Sequence, residues 1–192
     1  MFLKLFSLSL IIGFGFLGSA LNFEIPTNSE LFLMEQAEER VTKKPFGLYV
    51  SPSDSPVSPE RFSGYHTGVD FEVFEDERDV EISIHAICEG KVRFVDWVSG
   101  YGGVLIQDCI FDGLPVTVLY GHLQPSSIPY KIDELLQKNQ MIGVLGEGFT
   151  RETDGERKHL HLAIHRGEQL EFKGYTFSES GLESWLDPLF LF

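Results

Sequence analysis

Hydrophobic and polar positions alternate along much of the chain in runs of four to eight residues, the period of a strand buried on one face. Gly47 to Val50, Val69 to Phe74, Val80 to Ile87, Lys91 to Val98, Val104 to Asp108, Pro115 to Leu119, Met141 to Leu145 and His159 to His165 each predict a strand. Many short strands with glycine turns between them predict a mainly β fold with antiparallel pairing. Helical spacing is confined to two places. Ser29 to Arg40 carries Leu31, Leu33, Met34 and Ala37 in an amphipathic stretch, and Ile132 to Lys138 suits one or two helical turns. Ser51 to Phe62, opening with Ser51-Pro52-Ser53, reads as a loop.

The last strand run carries chemistry. In His159-Leu160-His161-Leu162-Ala163-Ile164-His165 the apolar residues face one side and the three histidines the other. Alternate residues stand about 6.6 Å apart, so His159 and His161 can reach one metal centre while His165, roughly 13 Å from His159, cannot. A second stretch, His66-Thr67-Gly68-Val69-Asp70, offers two more donors. Its β-branched residues and Gly68 argue against a helix, so it predicts a glycine turn into a strand, with His66 swung back from the loop toward Asp70. A working zinc site usually takes three protein ligands and leaves one position open, whereas a structural site closes with four. His66, Asp70, His159 and His161 supply enough donors for either.

A third segment, Val116 to Leu123, is β-rich and ends in Tyr120-Gly121-His122-Leu123. With H-x-x-x-D, Tyr-Gly-His-Leu and H-x-H occurring in that order, the chain resembles the lysostaphin and LytM type of zinc endopeptidase. The resemblance runs from about Lys44 to Gly167 and takes in Glu89-Gly90-Lys91, Gly100-Tyr101-Gly102-Gly103 and Gln140-Met141-Ile142-Gly143. It departs at Asp154-Gly155-Glu156-Arg157-Lys158, where a Thr-Gly-Pro-like lead is usual, at Gly103, where an Asn is often found, and at Gln107-Asp108, where an Asp-His pair is common.

The resemblance implies one zinc ion per chain on His66, Asp70 and His161, with His122 and His159 as catalytic histidines in general acid/base and oxyanion roles. It also implies an antiparallel β-sheet sandwich or open, barrel-like fold with few short helices, whose sheet floors a narrow groove walled by loops. Here the walls are expected around Ser51 to Tyr65, Trp97 to Gly103, Pro125 to Tyr130 and Gly148 to Lys158. No H-E-x-x-H helix occurs, so histidines must replace the usual glutamate base. Tyr65, Trp97 and Tyr101 are expected mainly as packing residues, Glu147, Arg151 and Glu152 as solvated loop charges, and Trp185 to Phe190 as a packed cap.

Composition adds an address and excludes some partners. Residues 1–20 carry one lysine, a run of Leu, Phe and Ile, and Gly18-Ser19-Ala20 at the end, which reads as a cleaved export signal without lasting membrane insertion. Residues 21–43 form a lead-in and 44–192 the metallopeptidase domain. The formal charge of −14 argues against nucleic acid as a partner. Cys88 and Cys109 are the only cysteines; in an exported chain they can form a disulfide, or lie buried as free thiols. The expected function is that of an exported endopeptidase, in the periplasm or at the cell wall, cutting peptide cross-links of bacterial peptidoglycan with zinc-activated water. The alternatives are a non-catalytic LytM-like regulator of a cell-wall amidase and a binding module with a closed structural zinc site.

Overall fold

A computed structural model describes residues 30–192; the expected export signal lies outside the described residues. Twelve strands follow in chain order: β1 (Tyr49–Val50), β2 (Gly64–His66), β3 (Gly68–Glu72), β4 (Ser83–His85), β5 (Gly90–Val98), β6 (Gly102–Phe111), β7 (Leu114–Leu123), β8 (Leu135–Leu136), β9 (Met141–Val144), β10 (His159–Arg166), β11 (Tyr175–Thr176) and β12 (Trp185–Leu186). The helical pieces among the described residues are short 3₁₀ turns.

All pairings are antiparallel. The main sheet runs β12-β10-β7-β6-β5-β8, and β3 pairs with β10 on the same edge as β12. β10 is therefore hydrogen-bonded along both sides. A second sheet, β1-β2-β11, stands next to β3, and β4 pairs with β9 in a small third sheet. The sheets leave open edges and do not close into a barrel.

Alternation decides what the main sheet buries. Val69 and Phe71 of β3, Val118 and Tyr120 of β7, and Leu160, Leu162 and Ile164 of β10 all enter one large core, which Ile84 and Ile142 cover from the small sheet. A smaller cluster of Tyr101, Val104, Ile106, Leu119, Ala163 and Trp185 lies on the opposite face. Each fully buried aliphatic side chain there contributes about 1.5–3 kcal/mol, so a one-residue register slip would forfeit several of these at once.

The helical turns expected between Ile132 and Lys138 are corrected. Leu135 and Leu136 form a strand instead, because the first residues of β5 present free backbone groups that Leu135, Leu136, Asp133 and Glu134 complete. Leu136 is buried and Leu135 exposed, as alternation requires. Ahead of β1 only Ala37–Arg40 makes a 3₁₀ turn. Leu33 and Met34 both sink into the core, and the Leu33 carbonyl accepts from His85 N. Arg40, fully buried, clamps this segment to the end of β3: it donates to the carbonyls of Glu35 and Glu72 and makes two bonds to Glu77 at 2.6 and 2.8 Å.

Cys88 and Cys109 are joined as a disulfide, with Cα atoms 6.0 Å apart. The C-terminal residues pack as a cap: Trp185 is buried against β10, and Leu186 and Leu189 touch the main core. β2, β11 and β12 have two or three residues each, too short to leave a periodic signal in the sequence.

Candidate active site

Register brings the two ligand stretches together. His161 of β10 lies opposite Asp70 of β3, and His159 lies opposite Glu72. All four point away from the large core, since their neighbours Leu160, Leu162, Val69 and Phe71 fill it. His66 is the last residue of β2 rather than a loop residue, and its ring reaches the same spot. His66 Nε2 is 3.0 Å from His161 Nδ1 and 3.2 Å from Asp70 Oδ1, and His161 Nδ1 is 3.0 Å from Asp70 Oδ1. All three residues are buried.

These three atoms have too few protons to satisfy one another. His66 Nδ1 faces the Pro45 carbonyl at 3.2 Å, which only accepts, so a neutral ring carries its proton there and turns a lone pair inward. Asp70 Oδ1 brings lone pairs as well. A single proton on His161 Nδ1 cannot serve both neighbours. A cation at their common point does, and ligands at zinc's usual 2.0–2.1 Å in a tetrahedron would stand about 3.3 Å apart, close to the spacing here. The donor set of two imidazoles and one carboxylate oxygen suits zinc.

His122 reaches the site through a backbone irregularity. In β7 regular alternation would send it into the core beside Val118 and Tyr120. Instead Gly121 pairs with Val104 and Leu123 with Gly103, leaving His122 as an unpaired bulge residue with φ at 62°. The bulge returns Leu123 to the core and turns the His122 ring to the opposite face. There it lies 4.2 Å from the ring of His159, centroid to centroid. His159 donates from Nδ1 to the Arg157 carbonyl at 2.8 Å and points Nε2 at Asp70 Oδ2, 3.3 Å away. His165 lies at the far end of β10 against Trp185, outside this group.

Asp70, His122, His159 and His161 border a cavity of about 420 Å³, with His66 buried behind them. Arg61 to Ser63, Ser99 to Tyr101, and Glu156 with Arg157 form walls in three of the expected loops, whereas Pro125 to Tyr130 takes no part. Phe172, Gly174, Tyr175 and Phe177 supply a wall that no motif signalled. Tyr175 is held beside His66, ring to ring at 5.3 Å, and its hydroxyl accepts from buried Lys44 at 2.9 Å. An ammonium only donates, so the phenolic proton remains free to donate into the cavity. Lys44 is in turn neutralised by buried Glu60 at 2.5 Å. Tyr101 is likewise a cavity residue, with a buried hydroxyl that has no protein partner, whereas Tyr65 packs on Tyr49 and Trp97 bonds the Arg151 carbonyl. Glu152 braces a wall through bonds from Glu147 N and Gln124.

Charge in the site is set by burial and close neighbours. Burial works to raise the Asp70 carboxyl, but His159, His66 and Arg157 outweigh it and hold the group well below the ordinary carboxylate range. Burial pushes His161 down to about 4 despite the Asp70 hydrogen bond. It pushes His122 well below the usual histidine value, with His159 adding to the effect. Burial, then the charge of Asp70, raises both Tyr101 and Tyr175, which stay protonated.

Comparison with known proteins bears on the family and the fold. Residues 64–171 match the family model described as Peptidase family M23. The fold is similar to the catalytic domain of the antimicrobial peptidase lysostaphin from Staphylococcus simulans, with a TM-score of 0.50 and 24% identity over 81% of this chain and 96% of that one. It is also similar to LytU, with a TM-score of 0.51 and 22% identity over 78% of this chain and 81% of that one. No curated protein matches the chain.

Proposed function

Because this chain belongs to peptidase family M23, we propose that it is an exported zinc metalloendopeptidase that hydrolyses peptide cross-links of bacterial peptidoglycan. The convergence of His66 Nε2, Asp70 Oδ1 and His161 Nδ1 within 3.0–3.2 Å, beside the His122 and His159 rings, carries this reading. His66, Asp70 and His161 would hold the ion. Bound there, zinc lowers the pKa of a coordinated water and polarises the scissile carbonyl.

The chain's own groups supply the proton transfers. With Nδ1 committed to the Arg157 carbonyl, His159 accepts a proton at Nε2, where Asp70 Oδ2 stabilises it, and returns it to the leaving amine. His122, kept neutral by burial, offers an N–H to the developing oxyanion, and the Tyr175 hydroxyl is placed to donate to the same carbonyl. A closed four-ligand site fits less well, because His159 Nε2 faces Asp70 Oδ2 while the other three atoms gather on the Oδ1 side.

Purified protein should contain about one zinc per chain and release peptide fragments from peptidoglycan, with activity lost to a chelator and restored by zinc. Mass analysis of the fragments identifies the bond. Full zinc loading without cleavage of any wall preparation would instead support a binding or regulatory role. No helix among the described residues is long and apolar enough to cross a membrane.

A further inference from the structure

Arg157 precedes β10 by two residues, in the stretch where the chain departs from the usual lead into H-x-H. Its side chain is only 13% exposed. Nη2 donates to Asp70 Oδ2 at 2.8 Å and to Glu72 Oε1 at 2.5 Å, and Nε lies 3.0 Å from both Glu72 oxygens. The same residue's carbonyl accepts from His159 Nδ1. Asp70 and Glu72 are two apart on β3 and share a face, so one planar guanidinium spans both carboxylates.

We propose that Arg157 is a positioning residue that restricts Asp70 to a single-oxygen ligand, by occupying Oδ2 so that only Oδ1 is presented to the ion. The proposal rests on the reading of His66, Asp70 and His161 as the metal ligands. A carboxylate turns readily about its last torsion. Beside a dication an untethered Asp70 could bring both oxygens to bear and consume the position that water needs. Guanidinium is suited to preventing this because it has donors only and a fixed plane, and its Nη2 donates to Asp70 Oδ2 directly. Its charge opposes a nearby cation, but the two carboxylates it spans offset that repulsion.

Cobalt(II) is the probe, titrated into the full chain after zinc removal, because its visible absorption is intense in four-coordinate sites and weak when a fifth oxygen joins. The wild-type chain should bind one cobalt with intense bands. Arg157→Gln should bind it with an affinity changed by about 10–100-fold and with markedly weaker bands. Glu72→Gln, which leaves the bond to Asp70 intact, should keep the wild-type spectrum. If Arg157→Gln does not fold, Arg157→Gln/Glu72→Gln, which removes one of the two carboxylates that Arg157 spans, is compared with Glu72→Gln in the same way. A folded Arg157→Gln chain with wild-type affinity and bands overturns the positioning role. A wild-type chain that takes up no cobalt overturns the metal reading instead.

Discussion

Asp70 and His161 are direct cross-strand partners, and carboxylate Oδ1 lies 3.0 Å from ring Nδ1. The pairing follows from strand register, so the candidate ligands are held by sheet hydrogen bonds rather than by loop conformation. His161→Ala should therefore leave a folded chain that has lost nearly all its zinc. His159→Ala should keep most of its zinc and lose turnover by about 10²–10⁴-fold. Metal content and wall-digestion rates of the two variants, side by side, check this; equal zinc loss in both would favour the closed four-ligand site.

Gly68 faces His161 across the same strand pair. A Cβ there would meet the Leu162 carbonyl at 2.5 Å and the His161 ring at 2.9 Å, so the ring can lie where it does only against a residue without a side chain. Gly68→Ala should destabilise the fold by about 1–3 kcal/mol and weaken zinc binding through a displaced His161. Urea denaturation and a zinc competition titration are the measurements; an Ala variant that equals wild type in both would contradict the packing argument.

His122 adopts a left-handed backbone to serve the site. His122→Gly and His122→Ala both remove the ring, yet only glycine occupies that conformation without strain. Both variants should lose turnover, with the glycine variant about 1 kcal/mol more stable than the alanine one. Matched thermal and urea melts decide it, and an alanine variant of equal or greater stability would mean that the bulge relaxes once the ring is gone.

Acid should unfold the zinc-free protein early. His161 falls from about 6.5 when unfolded to about 4 when folded, so below pH 6.5 the unfolded chain takes up a proton that the folded chain refuses. The associated stability, on the order of 3 kcal/mol, is complete above about pH 6.5 and lost as the pH falls to about 4. His122 shifts in the same direction. The urea midpoint should be flat above pH 7 and decline between pH 6.5 and 4, and a midpoint that rises on acidification would contradict the buried neutral histidines.

Tyr175→Phe removes the hydroxyl that accepts from Lys44. We expect zinc content near wild type, a loss of stability of about 1–3 kcal/mol from the buried ammonium left with one partner fewer, and a fall in kcat of about 10–100-fold. A variant with unchanged kcat and raised KM would reassign Tyr175 to uniform substrate binding.

Three of the five candidate site residues are legible because they sit in regular positions: His159 and His161 follow from alternation in β10, and Asp70 from alternation in β3. His66 ends a strand of three residues, too short to leave a periodic signal, so the sequence suggests a loop there. His122 is different: alternation alone sends it into the core beside Tyr120, and the family motif, not the strand pattern, pointed to its role. Arg157, Lys44 and Tyr175 were not found, for they act through contacts between residues as many as 131 positions apart that no local pattern encodes. Leu135 and Leu136 have spacings that fit a helix, but the free edge at the start of β5 makes extended backbone the better partner.

β10 is hydrogen-bonded on one side to β3 and β12 and on the other to β7. Its amides can reach solvent deuterium only when neighbouring strands separate, which for a central strand approaches opening of the whole sheet. His159 and His161 thus ride on backbone whose exchange should report separation of sheet strands rather than the motion of a loop.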